Sequence, residues 1–443
     1  NVPTIKVKKY SNKPKWWTSE LQHKKNRRDK LYKRKFDSTS TLEYEVALKE
    51  FDELNDRLYK EHICRVQQNI KSDPAEFWKF ARINGGVDKY PSQMHYNGSV
   101  GRTTDEIVNQ FAEHFESIYV RDDEPWEFED DYIPSENSID IDVSLLDIEK
   151  AIQSLKWNSG AGPDGIKPII VKKCSSAFVW PIWLLYKKSF DEGKIADAMK
   201  ISRVVPVYKR KGDKADIKNY RVIAIQPIVM KVQEIAVKNK LGEIIQPLLS
   251  DAQHGFRNKR SVVTNLLNLS ILAYDAIERR CQLDMVYNDF KTAFDTVWIR
   301  KLIMKFARFG TGKRTARWLY AYLAGRTNYV QVDGVKSRIY KSPSGVPPGS
   351  SLGPLAFTVF IDDIVNCIRH ARPLLFADDT KLAAIINDRS DVAKLQEDVD
   401  NMRKWCIENR LYFNQEKCYV FSIYRDNAEF INTSYTLGDH VLV

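Results

Sequence analysis

The chain has 443 residues, 43% of them hydrophobic, which is enough for two or three packed subdomains and excludes a disordered chain. Its 69 Lys and Arg against 58 acids give +11, a balance that favours a polyanionic partner over a cationic one. The 6 cysteines form no CxxC pair and no Cys/His cluster, no apolar run reaches membrane-spanning length, and "NVPTIKVKKYSNK" has no signal-peptide core; together these argue against structural zinc, a membrane partner and secretion, and for a protein of cytoplasm and nucleus.

In chain order, residues 16 to about 85 read as helices. Lys24, Lys25, Arg27, Arg28, Lys30, Lys33, Arg34 and Lys35 are interrupted by a single acid, Asp29, and the stretch also carries Trp16, Trp17, Leu21, Leu31, Tyr32 and Phe36. Such a run is either a solvated helix face or a basic and aromatic surface suited to a phosphate backbone. "SDPAEFWKFARI" reads as a further helix start, with Asp73 as N-cap, Pro74 at N1 and Glu76 at N3. Residues 121–138, acidic and aperiodic, read as a linker and domain boundary. Beyond it Ser144 caps a helix whose buried face is Ile148, Ala151, Ile152 and Leu155. One strand pair, "SRVVPVYKRKGD" and "YRVIAIQP", is expected among helices up to residue 280. From 281, short strands alternate with helices: "LDMVYNDF", "NYVQVDG", the hairpin "LLFADDTKLAA", and a helix with Val392, Leu395, Val399 and Met402 inward.

Carboxylates carry the chemistry. Asp289 ends the strand "LDMVYNDF", and Asp378 and Asp379 sit side by side in an apolar run. Alone, the first is a helix cap and the pair a polar hairpin tip. Together they are three acids able to converge from two neighbouring strands, a hard-oxygen set of the kind that holds Mg²⁺ through one or two carboxylates. Two such ions, about 4 Å apart, serve in-line displacement at a phosphate. Between the acids, "SPSGVPPGSSLGP" is a Gly- and Pro-rich loop before an apolar helix, either plain punctuation or a place where backbone approaches a ligand.

The motifs, taken in order, make the chain similar to the reverse transcriptases of non-LTR (LINE-type, jockey-like) retrotransposons. "NSGAGPDGI" and "NYRVIAI" resemble that family's fingers motifs, and "QHGFRNKRSVVTNLL" its next block. "NDFKTAFDTV", "GVPPGSSLGP" and "FADDTKL" resemble its motifs A, B and C; "NRLYFNQEKC" resembles motif D and "YTLGDHVL" the start of the primer grip. The resemblance implies an α+β fold: a basic helical extension (residues 1–120), the linker (121–138), fingers (139–280), and a palm (281–443) of antiparallel strands backed by helices, with no thumb.

For the site, the resemblance implies Asp289 and Asp378 as metal ligands supported by Asp379, with Mg²⁺ or, in its place, Mn²⁺. Phe294 would crowd the sugar 2′ position. Arg221 would grip the incoming triphosphate, with Lys209 or Lys211 beside it, and Pro348 and Gly349 would line the nucleotide loop. Lys417 would be the general acid for the leaving pyrophosphate. Arg257 would contact template or order the fingers, whereas Asp164 and Gly165 would shape a turn. Lys24, Lys25, Arg27 and Arg28 would bind nucleic acid. The implied partners are an RNA template, a DNA primer and dNTPs. Pro348 replaces the family's glutamine, and Val222 a proline. A copy that binds RNA without catalysis, and an RNA-copying RNA polymerase, are the alternatives; Phe294 and the loop argue against the second.

Overall fold

In this computed structural model the described residues are 13, 14, 16–33, 38–68, 90–122, 126–425 and 430–442. The chain divides into two compact units, residues 1–90 and 91–443. In the first, helices Ser19–Tyr32 and Ser38–Gln68 pack through Leu21, Phe51 and Leu54, with Trp16, Trp17 and Leu58 over them. Thr18 caps the first helix by accepting from the Leu21 amide. The helix start read at Asp73, Pro74 and Glu76 lies outside the described residues, as do Arg34, Lys35 and Phe36.

The second unit opens with a hairpin, β1 (Met94–Tyr96) and β2 (Ser99–Gly101), and helix Thr104–Ile118, whose start is a capping box of Thr103 and Glu106. The acidic stretch 121–138 falls inside this unit, and the chain's division lies about thirty residues before it. Helix Leu145–Ser154 starts on a box of Ser144 and Asp147 and buries Ile148, Ala151 and Ile152, the face its spacing predicts.

Two sheets organise the rest. β3 (Ile201–Tyr208) and β4 (Tyr220–Ile225) pair antiparallel, from Arg203 opposite Ile225 to Tyr208 opposite Tyr220. After β5 (Gln282–Asn288) come β6 (Arg326–Val332), β7 (Val335–Lys336) and β8 (Tyr340–Ser342). β6 runs parallel to β3, so "NYVQVDG" joins the sheet of β3 and β4 in the order β4-β3-β6-β7, with β8 also on β6. The second sheet, ordered β11-β5-β10-β9, is antiparallel throughout and contains β9 (Arg372–Phe376), β10 (Asp379–Ile386) and β11 (Tyr419–Ile423). A hairpin of β12 (Tyr435–Leu437) and β13 (His440–Leu442) follows.

β5 is buried on both faces along nearly its whole length, which its apolar run requires of a central strand. Leu283 and Met285 pack with Ala276, Leu374 and Ala383 under helix Val262–Glu278. On the other side Val286 and Leu382 join the main core with Phe357, Leu395 and Met402, each fully buried side chain contributing roughly 1.5–3 kcal/mol. The one charge inside β5, Asp284, is fully buried and accepts from Gln282 Nε2 (2.8 Å), Ser422 Oγ (2.6 Å) and Tyr435 OH (2.7 Å). Among the described residues no helix is long and apolar enough to cross a membrane, and all six cysteines are free.

Candidate active site

The carboxylates meet because of register. Asp379 pairs with Phe376, so Ala377 and Asp378 form a two-residue turn between β9 and β10, with Ala377 at φ +56°. Thr380 pairs with Asn288, and one step further along each strand sets Asp379 beside Asp289. The turn is clamped from outside β9. Gln253 Oε1 accepts from the amides of Gly255 (2.7 Å) and Ala377 (3.0 Å), and Gln253 Nε2 donates to the Ala377 carbonyl (3.3 Å). Gly255 is needed there: a Cβ on it would lie 2.2 Å from the Ala377 nitrogen. "QHGF" thus holds the aspartate turn, a role its sequence does not disclose.

Lys417 Nζ donates to Asp289 Oδ2 at 2.7 Å, and the Asp289 carbonyl accepts from the Asn414 amide, also at 2.7 Å. Burial raises the pKa of Asp378, and the charges of Asp379 and Asp289 push the same way; burial and then Asp289 likewise raise that of Asp379. Among the described residues no His, Cys, Asp and Glu are drawn into a ready coordination sphere, and the charge partner of Asp289 is the Lys417 ammonium. The donor set nevertheless fits a hard divalent cation: three carboxylates, no sulfur or nitrogen, with mutual repulsion that a cation would relieve.

Phe294 follows β5 on the short helix Ala293–Thr296 and stacks on Phe357 with centroids 4.6 Å apart. The Gly-rich loop is stitched to that turn by Val346 N to Phe294 O (2.8 Å), Gly345 N to Val297 O (2.8 Å) and Ser344 Oγ to Asp295 O (2.7 Å). Gly345 sits at φ +84°, where a Cβ would come 2.5 Å from the Asp295 carbonyl oxygen. Next to Phe294, burial pushes the Asp295 carboxyl up to about 7, and its Oδ1 has no hydrogen-bond partner.

The loop also grips β4. The Pro348 carbonyl accepts from the Ala224 amide at 2.9 Å, and the Gly349 carbonyl from Lys231 Nζ at 3.1 Å. Buried Glu234 takes the Ser351 amide (2.8 Å) and pairs with Lys231 (2.7 Å). A cleft of about 540 Å³ runs along β4 and Gly349, lined also by Ser159, Gly160 and Gly162 of "NSGAGPDGI".

Arg221 lies exposed on β4. Lys209 donates to the Lys218 carbonyl (2.8 Å), and its pKa is lowered by burial and then by the charges of Arg221 and Lys417; Lys211 is exposed. Arg257 turns inward, donating to the carbonyls of Ser250 (2.5 Å) and Gln246 (3.2 Å). Asp164 shapes its turn as expected, accepting from the amides of Ile228 (2.6 Å) and Ile166 (3.2 Å), with Gly165 at φ +69°. In the first unit Lys24 pairs with Glu50 (2.9 Å) and Arg28 lies over Phe51 (4.6 Å), whereas Arg27 is 62% exposed and Lys25 is 5.9 Å from the Trp17 ring centroid.

Residues 209–435 match the family model described as reverse transcriptase (RNA-dependent DNA polymerase), and the chain belongs to that family. Within it, the chain is similar to the RNA-directed DNA polymerase from mobile element jockey of Drosophila melanogaster, 27% identical over 62% of this chain and 31% of the relative. It is also similar to the probable RNA-directed DNA polymerase from transposon BS of the same species (25% over 72% of this chain and 37% of the relative) and to the jockey polymerase of Drosophila funebris (22%, 82% and 42%). The chain is therefore a member of the reverse transcriptase family, similar to the polymerases of jockey-like retrotransposons, and it spans about a third to two fifths of the length of the curated relatives it matches.

Proposed function

We propose that the chain carries out RNA-directed DNA synthesis, adding dNTPs to a primer 3′-hydroxyl on an RNA template. The observation that carries this reading is the β5–β10 register, which sets Asp289 beside Asp379 and the Asp378 turn. In this reading β11-β5-β10-β9 is the palm sheet, and β3 and β4 with the preceding helices form the fingers. Asp289 and Asp378, supported by Asp379, would hold Mg²⁺ or Mn²⁺. Bound there, the ions lower the pKa of the attacking hydroxyl and offset charge on the leaving pyrophosphate.

The remaining steps belong to the chain's own side chains. Arg221 and Lys209 take the triphosphate, the guanidinium by paired bonds to phosphate oxygens. Phe294, held against Phe357, presents its ring to the sugar and rejects a 2′-hydroxyl by size. The Pro348–Gly349 backbone supports the nucleotide from β4. Lys417, released from Asp289, delivers its proton to pyrophosphate. Primer extension on poly(rA) and oligo(dT) with Mg²⁺ tests the reading: wild type extends and Asp378→Ala does not, by a factor of 10³ or more on the order of a lost electrostatic centre. Template binding with no Asp378-dependent extension sides with a copy that binds RNA without catalysis.

A further inference from the structure

Within residues 91–443 a cavity of about 290 Å³ opens on the Thr296–Arg300 side of the Phe294 turn, and none of the three carboxylates, Lys417, Arg221 or Lys209 lines it. Its charge is lopsided. Among the described residues Asp122 is the one acid that lines it, and it is already shared, accepting from Trp298 Nε1 (2.6 Å) and pairing with Arg300 (3.0 Å) and Arg410 (3.4 Å). The Arg410 guanidinium lies over the Trp298 ring, 4.1 Å from its centroid.

Three more cations line the cavity without a carboxylate. Arg326, 3% exposed, donates only to the Tyr322 carbonyl (3.2 Å) and Ser202 Oγ (3.0 Å); no Asp or Glu among the described residues pairs with it. Arg121 and Lys341 stand exposed at the rim, again without an ion pair among the described residues. A buried guanidinium with neutral partners alone is costly, and an anion in the cavity relieves that cost. Guanidinium forks match phosphate oxygens, and a guanidinium stacked on tryptophan offers a flat surface to a base.

We propose that this cavity is a second nucleotide site that takes one phosphate-bearing nucleotide unit, its phosphate on Arg326, Arg121 and Lys341 and its base against the Arg410–Trp298 stack. The unit comes either from a single RNA strand or from a free nucleotide. The proposal rests on the proposed function only in expecting nucleotides at all. It is read by binding in EDTA, so it fails or stands apart from primer extension.

The test uses the full chain with a labelled 12-nucleotide oligouridylate and, separately, uridine 5′-monophosphate. Arg121→Glu/Lys341→Glu at the rim is compared with Lys187→Glu/Lys188→Glu, a charge-matched pair on helix Ser175–Glu192 that does not line the cavity; Arg326→Met probes the floor, with its unfolding midpoint measured alongside. The strand source predicts about tenfold weaker oligouridylate binding in the rim variant and a salt slope shallower by about two, with the comparison pair near wild type. Weakening confined to the monophosphate supports the free nucleotide. Unchanged binding of both probes in the rim variant, or equal weakening in the comparison pair, overturns the site.

Discussion

Lys417 and a divalent ion compete for the same oxygen of Asp289, Oδ2, which the ammonium holds at 2.7 Å. The lysine is 62% exposed, so the pair is worth about 0.5–1 kcal/mol, roughly a two- to fivefold effect on metal occupancy. Lys417→Met should therefore lower the Mg²⁺ concentration for half-maximal extension by that factor while lowering kcat, if the lysine also delivers the proton; a metal titration at saturating dNTP reads both. Pro348 poses a separate question. Its contact with Ala224 is made by the carbonyl, which any residue supplies, so Pro348→Gln should keep the loop in place and add side-chain donors and acceptors toward the nucleotide. KM for dNTP should fall severalfold with the unfolding midpoint nearly unchanged, and an unaltered KM would show that the proline costs nothing there. That the three aspartates converge was legible from the order of the motifs, because read alone Asp289 is a helix cap and the Asp378–Asp379 pair a polar hairpin tip. Gln253 and Glu234 were not, since a buried amide or acid that serves backbone amides looks in sequence like any surface polar residue.

At the scale of elements, the capped helices and the strand pair β3–β4 follow from periodicity, whereas the parallel pairing of β3 with β6 joins segments more than a hundred residues apart and leaves no local signature. Asp284 is the less legible part of β5. It ties that strand to β11 through Ser422 and to β12 through Tyr435, so removing it strands three donors, two of them on other elements. Asp284→Ala should destabilise by roughly 3–5 kcal/mol in urea unfolding and Tyr435→Phe by about 1 kcal/mol, because the latter leaves the carboxylate two of its donors. Helix Thr104–Ile118 carries a pH-sensitive element. Burial, then Lys209, lowers His114 from 6.5 to about 4, while Asp216 partly opposes the shift. The unfolded chain takes up the proton first, so stability is full above pH 6.5 and is lost as pH falls toward 4. At pH 5 the loss is up to about 2 kcal/mol. The difference between wild type and His114→Phe, followed by urea midpoints from pH 7 to 5, isolates this residue from the carboxylates that titrate lower.

Across the whole molecule the positive charge is unevenly placed. Residues 1–90 hold 21 of the 69 Lys and Arg and 13 of the 58 acids, so a fifth of the chain carries +8 of the net +11. Charge alone does not make a binding face, and the helical hairpin uses part of its own: Lys24 is paired with Glu50, and Arg28 is spent on Asp29 and the Phe51 ring. Arg27, Lys30 and Lys33 remain exposed along the first helix and its C-cap, Arg27 with only a longer contact (3.5 Å) to the Glu50 carboxylate that Lys24 already holds. These three, more than Lys24 or Arg28, are the cations able to displace counterions from a phosphate backbone. Neutralising them together (Arg27→Gln, Lys30→Gln, Lys33→Gln) should make the slope of log affinity against log salt shallower by about two for single-stranded RNA, uniformly across sequences. Neutralising Lys24 and Arg28 instead should loosen the hairpin, read as a lower helix-unfolding midpoint, with a smaller change in salt slope. Equal slopes for the two sets would mean that the hairpin's ion pairs open on binding, so that the whole basic run, paired or not, faces the nucleic acid.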